Sequence, residues 1–174
     1  MSDKKNNIIL IGFMGSGKTT FGKWIANKYG MKFCDTDEYI ENTEQRTIND
    51  IFAKDGEEFF RNLETATIEK LCGELENAVI SVGGGLPVRK INRELLKKLG
   101  LVVYLNTSTD ELVKRLSKDT KRPLLKGADI RTRITTLMEQ REDLYKEASD
   151  IIIETDGHSF EDMYALIKAA SREK

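Results

Sequence analysis

A chain of 174 residues, 39% hydrophobic and 33% charged, can close a sizeable core without disulfides, and none of its apolar runs approaches the roughly 20 residues of a membrane helix. A net charge of −1 gives no general attraction to nucleic acid or other polyanions, and the two cysteines, Cys34 and Cys72, lack a metal-ligand spacing and read as small buried thiols. The polar start Met1–Asn7 runs into too short an apolar stretch for a signal peptide, so a cytoplasmic protein with no membrane or nucleic-acid partner is expected.

Taken in chain order, Ile8–Ile11 reads as a buried strand and Thr19–Tyr29 as a helix whose Phe21, Trp24, Ile25 and Ala26 face a core. A second short strand, Lys32–Cys34, follows, then a helix over Glu57–Leu75 with Phe59, Phe60, Leu63, Ile68, Leu71 and Leu75 near helical spacing. Ala78–Val82 is the third strand, Val88–Leu99 a helix stopped by Gly100, and Leu101–Leu105 the fourth strand. Ser108 caps a helix to Leu116, and Ser117–Gly127, "SKDTKRPLLKG", reads as a surface flap. A helix over Asp129–Ala148, a fifth strand at Ile151–Ile153 and a helix over Ser159–Ala170 complete the chain, with His158 in an exposed loop. This alternation predicts an α/β domain with a mainly parallel sheet, helices on both faces and ligands at the carboxyl ends of the strands.

The chemistry concentrates at those ends. Between the first strand and helix, "GFMGSGKTT" satisfies G-x-x-x-x-G-K-[ST] through Gly12, Gly17, Lys18 and Thr19. Backbone N–H groups from Gly15 through Ser16, Gly17, Lys18 and Thr19 to Thr20 can converge on phosphates, with Lys18 as a mobile charge and the Thr19 hydroxyl as a magnesium ligand. After the second strand, Asp35 and Asp37 in "CDTDEY" would point the same way if the chain stays extended, one towards the metal and one towards an acceptor hydroxyl; a helix start or a solvated turn would explain the same residues. Arg61 and Glu64 in "FFRNLE" have the spacing of an ordinary surface pair. Arg122 in "RPLL" and Arg141 in "REDLY" are weak signals singly. The triplet Gly83, Gly84 and Gly85 in "SVGGGLP" has no following lysine and hydroxyl; it is either a plain turn or a backbone wall that a ligand approaches closely.

In this order and spacing, "GSGKTT", "DTD", "FRNLE", "GGG", "RPLL" and "REDLY" resemble the shikimate kinase family over nearly the whole chain. The resemblance implies one domain over 1–174 with a three-layer P-loop kinase fold: a five-stranded parallel sheet of order 2-3-1-4-5, helices on both faces and a mobile lid at about 117–127. It implies a cytoplasmic monomer that uses ATP and Mg2+ to phosphorylate the 3-hydroxyl of shikimate in the pathway to chorismate and the aromatic amino acids. By the same resemblance, Gly15–Thr20 hold the nucleotide phosphates, Lys18, Asp37 and Arg122 are catalytic, and Thr19 and Asp35 serve the metal. Asp37, Arg61, Gly83, Gly84, Gly85 and Arg141 would bind the acceptor. Arg122 would also contact ATP, and Arg115 resembles an arginine lying against the base. One departure is plain: where family members often carry an arginine after the last strand, this chain has Glu154-Thr155-Asp156-Gly157-His158. A gluconate-type kinase and an inactive nucleotide-binding regulator are the rival readings; the paired arginines, the D-x-D and the intact Lys18 argue against them.

Overall fold

The computed structural model describes residues 5–118 and 129–173. Its elements are β1 Ile8–Ile11, α1 Lys18–Tyr29, β2 Lys32–Asp35, α2 Thr36–Glu44, α3 Ile48–Glu74, β3 Ala78–Ser81, a 3-10 turn Leu86–Val88, α4 Lys90–Leu99, β4 Leu101–Asn106, α5 Thr109–Leu116, α6 Ile130–Ala148, β5 Ile151–Glu154 and α7 Phe160–Arg172. The five strands pair in parallel in the order β2-β3-β1-β4-β5, as the motifs implied.

The period of two along each strand divides the core. Ile9, Ile11, Ile80, Val102 and Tyr104 face Ile68 and Leu71 of α3, Leu96 of α4, Leu112 of α5 and Ile134 and Tyr145 of α6. Their neighbours Ile8, Leu10, Val79, Val103 and Ile153 face Phe21 and Ile25 of α1 and Met163 and Ile167 of α7. Each such side chain, once buried, contributes about 1.5–3 kcal/mol, so strands apolar on both faces tie the two helical layers together. All of β1 and β3 is buried.

The sequence reading found no element between residues 36 and 56, and the structure has two there. α2 carries a mostly polar sequence with Ile40 as its buried apolar residue, too weak a pattern to reveal a helix. α3 starts at Ile48, not Glu57: Thr47 Oγ1 caps it by accepting from Asp50 N (3.1 Å), and the helical backbone is interrupted at Gly56 (φ 85°, ψ 173°). That interruption made the second half alone look like the helix. Ile40, Ile51 and Phe60 form a small core of their own here, flanked by Ile48, Phe52 and Leu63.

Asn7 fixes the amino edge. Its Nδ2 donates to Leu75 O (3.0 Å) and Leu99 O (2.9 Å), and its Oδ1 accepts from Ala78 N (2.9 Å). Gly100 follows α4 for a related reason: its φ of 171° is ordinary extended backbone, but a β-carbon there would stand 2.4 Å from Asn7 O. Asn7→Ala leaves two buried main-chain groups, Leu99 O and Ala78 N, and the part-buried Leu75 O short of a partner, and an expected loss of about 3 kcal/mol follows from the desolvation cost of such groups. Urea unfolding checks it: the midpoint falls with the slope unchanged, and a midpoint equal to that of the wild type contradicts this role.

Candidate active site

β1 delivers the chain into a loop that only glycine can build at three points. Gly12, Gly15 and Gly17 have φ of 150°, 82° and 92°, and a β-carbon on Gly12 would come within 2.7 Å of Leu105 O. The loop wraps the start of α1, whose first N–H groups have no helical partners, so it presents donors and a positive dipole end at one point. Ser16 Oγ is buried without a hydrogen-bond partner, as befits a cradle shaped for an anion. Lys18 is buried too and folds back over the loop, with Nζ donating to Gly12 O (2.8 Å) and Phe13 O (3.0 Å).

This loop forms one end of a cleft of about 630 Å³ whose walls include Thr19, Asp35, Asp37, Gly83 and Gly84. Asp35 caps α2: its Oδ1 accepts from Asp37 N (2.9 Å) and Glu38 N (3.1 Å), while its Oδ2 accepts from Thr19 Oγ1 (2.8 Å). Ser81, its register partner on β3, lies 3.2 Å from the same Thr19 hydroxyl. The extended-chain expectation for the two aspartates needs correction. Asp37 sits in the first turn of α2, and the helix start, not strand alternation, brings both carboxylates to the cleft. A β-carbon on Gly83 would be 2.7 Å from Asp37 Oδ1 and 3.1 Å from Glu64 Oε2, so only glycine lets both acids approach there.

Arg61 and Glu64 are not the solvated pair that their spacing suggests. Arg61 Nη1 bonds Glu64 Oε1 at 2.6 Å, Nη2 bonds Glu57 Oε1 at 3.1 Å, and the Glu64 side chain is 1% exposed. The guanidinium also sits beside Gly85, whose β-carbon would overlap it at 2.4 Å. Arg141, from α6, packs over Phe13 (5.9 Å to the ring centre) and lies 3.6 Å from the β-carbon position of Gly84; its Nη1 is buried and unpaired. Two arginines, two carboxylates and the glycine triplet therefore meet where sequence placed them on four separate elements. Arg122 and all but Ser117 and Lys118 of the expected lid lie outside the described residues.

Burial pushes the Glu64 carboxyl up to about 7; Arg61 pulls it back only in part, and Asp37 adds to the rise. Burial opposes the charge on Arg61, but Glu64 and Glu57 outweigh that and hold its pKa up. For stability the sign is clear. A carboxyl raised from 4.5 to about 7 by folding binds more protons folded than unfolded between those values. Its contribution is complete below the unfolded value and is lost as pH rises through the folded one, a swing of about 3 kcal/mol at most. In Glu64→Gln this term is absent, so the melting temperature of the variant should gain on the wild type between pH 5 and 8. Parallel melting curves across that range would show that Glu64 does not titrate there.

Beside the phosphate loop, Arg115 Nη1 donates to Gly15 O (2.9 Å), and His158 joins the cleft wall. Thr107 and Thr155 share a hydrogen bond of 2.6 Å, and Ser108 Oγ donates to Asp156, which pins the loop carrying His158 to the start of α5. His158 is exposed loop, as its polar neighbours suggest, and the register of β4 with β5 sets that loop beside the cleft; Glu64, whose spacing suggests surface, is buried instead.

Among the described residues, no helix is long and apolar enough to cross a membrane. The family model for shikimate kinase matches residues 14–171. A shikimate kinase of Geobacter metallireducens is 43% identical over 161 residues, covering 92% of this chain and 89% of that protein. One from Thioalkalivibrio sulfidiphilus is 44% identical over 154 residues, 88% of this chain and 80% of its own. Among solved structures, the shikimate kinase of Acinetobacter baumannii in complex with shikimate superposes with a TM-score of 0.91 at 35% identity, covering 99% of this chain and 96% of that one. With the family model spanning both ends of the cleft and relatives aligned over most of their length, the chain belongs to the shikimate kinase family.

Proposed function

We propose that this chain transfers the γ-phosphoryl group of ATP to the 3-hydroxyl of shikimate, supplying shikimate 3-phosphate for chorismate and aromatic amino acid synthesis. One observation carries the reading: a phosphate loop, Asp37 and the glycines Gly83 and Gly84 line one cleft, and Arg141 and Arg61 stand directly against Gly84 and Gly85 of the same glycine wall.

Phosphoryl transfer needs in-line placement and positive charge more than covalent chemistry. Gly15–Thr20 would hold the phosphates through backbone N–H groups, and Lys18 would exchange its bonds to Gly12 O and Phe13 O for phosphate oxygens. Arg61 and Arg141 would grip the acceptor carboxylate; the paired donors of a guanidinium match its two oxygens. Asp37 then orients the 3-hydroxyl. Its oxygen forms a bond to the γ-phosphorus, the bond to the bridging oxygen of ADP breaks, and the hydroxyl proton passes to Asp37. Arg122 and the lid would add charge and exclude water.

The metal expected for this reaction fits the residues present. Thr19 Oγ1 and Asp35 Oδ2 are adjacent hard oxygen donors beside the phosphate loop, of the kind that holds Mg2+ together with substrate phosphates and water. When bound, Mg2+ neutralises charge on the β- and γ-phosphates. Arg115 and His158 would border the base, in place of the arginine missing after β5. The described residues named here come from elements around one sheet, which supports reading them as one catalytic domain; a cytoplasmic monomer over 1–174 is what the family resemblance implies. A coupled assay tests the function: ADP release should depend on shikimate, and release that gluconate stimulates instead would displace shikimate as the acceptor.

A further inference from the structure

The backbone of the glycine wall is anchored from behind. Gly83 O accepts from Leu86 N (3.1 Å) and Gly85 O from Val88 N (3.2 Å). Leu86 O accepts from Asn92 Nδ2 (2.8 Å), and Arg93 Nη1 donates to both Pro87 O (3.0 Å) and Val88 O (2.8 Å). The remaining carbonyl, Gly84 O, accepts from the hydroxyl of Tyr145 on α6. Every carbonyl from Gly83 to Val88 is thus taken by a protein donor. The amides differ: Gly83 N donates to Thr36 Oγ1 (3.0 Å), but among the described residues nothing accepts from Gly84 N or Gly85 N. The wall is therefore left with two amide donors to offer, while each of its carbonyls already accepts from the protein.

The Gly84–Gly85 peptide is trans, so its carbonyl and N–H point in opposite directions. Holding Gly84 O against α6 turns the Gly85 N–H away from α6. A peptide between two glycines has little steric preference of its own, so the hydroxyl of Tyr145 decides which way it faces. Arg141 stands one turn earlier on the same face of α6, 3.6 Å from the β-carbon position of Gly84, and its charge acts on that same hydroxyl. Tyr145 is fully buried, with its ring against Tyr104 (5.2 Å between centres, 43°), so its oxygen is held in place by packing.

We propose that Tyr145 is a positioning residue for the acceptor: its single hydroxyl sets the Gly84–Gly85 peptide and the Arg141 guanidinium together, aligning a backbone donor with half of the carboxylate grip. This rests on the acceptor reading above. The hydroxyl does not touch the reacting atoms, so its loss acts on binding before turnover.

Tyr145→Phe keeps the ring and removes the hydroxyl. With both substrates varied, KM for shikimate should rise about tenfold while kcat and KM for ATP stay within about twofold, as expected for a lost positioning bond. In amide spectra of 15N-labelled protein, the Gly85 resonance should move on adding shikimate to the wild type, and that response should vanish in Tyr145→Phe. A folded variant with unchanged KM for shikimate overturns the proposal, as does a wild-type Gly85 amide that ignores shikimate. So does a uniform loss of kcat and both affinities together with a lowered melting temperature, which would make Tyr145 a scaffold residue. The assay separates this from the parent reading, because a wild-type enzyme without shikimate-dependent ADP release refutes the function itself.

Discussion

Lys18→Ala should lower kcat by about three orders of magnitude, the scale on which removal of a preorganised charge from a phosphoryl-transfer site is felt. The side chain is buried at the loop and its Nζ is already close to where phosphates would lie, fixed at 2.8 Å from Gly12 O and 3.0 Å from Phe13 O. Those carbonyls keep the ammonium aimed, so little reorganisation is needed when the nucleotide arrives. Arginine should not rescue the variant, because a planar fork cannot reproduce the compact ammonium that bonds Gly12 O and Phe13 O at one point. Saturating steady-state assays check the claim, with KM for shikimate expected to change little since the acceptor is held by other residues. Turnover within tenfold of the wild type in a folded Lys18→Ala protein would remove Lys18 from the transition state.

Arg61→Ala should raise KM for shikimate about a hundredfold, with a smaller effect on kcat, because a charge-assisted bidentate pair is lost from ground state and transition state alike. The variant also strands Glu64, 1% exposed, without the guanidinium that now bonds its Oε1 at 2.6 Å. Its carboxyl, already raised by burial, should rise further and cost stability near neutral pH. The two consequences separate in the double variant Arg61→Ala/Glu64→Gln. Stability should recover, since the buried charge is gone; affinity should not, since the fork is still missing. Arg61→Lys should bind weakly as well, because an ammonium offers no paired planar donors. A wild-type KM for shikimate in Arg61→Ala would refute the carboxylate grip.

The strands, most of the helices and the phosphate loop were legible from residue order because each depends on local pattern. Ile8–Ile11 runs into "GFMGSGKTT" and on into an apolar stripe, and that succession of strand, glycines and helix has few other solutions. α2 was not legible: it is polar along most of its length, and it is held by Ile40 packing on Ile51 and Phe60 and by the cap from Asp35. The first half of α3 hid behind Gly56, where the chain leaves helical geometry for one residue.

The site divides along the same line. Sequence by itself determined the chemistry available: a lysine and hydroxyls beside a glycine loop, two aspartates after a strand, arginines on two helices and a glycine triplet, in the order of one kinase family. Only the tertiary structure decided which of these face one another and how each is charged. An i, i+3 pair such as Arg61 and Glu64 is a surface ornament or a buried ion pair depending on what packs over it, and that is settled by Gly83 and Gly85 of another element. The same holds for Tyr145, whose partner Gly84 O lies 61 residues away in sequence. A hydrogen bond across that distance leaves no period or motif in the chain; it exists because the parallel sheet sets the end of β3 against α6.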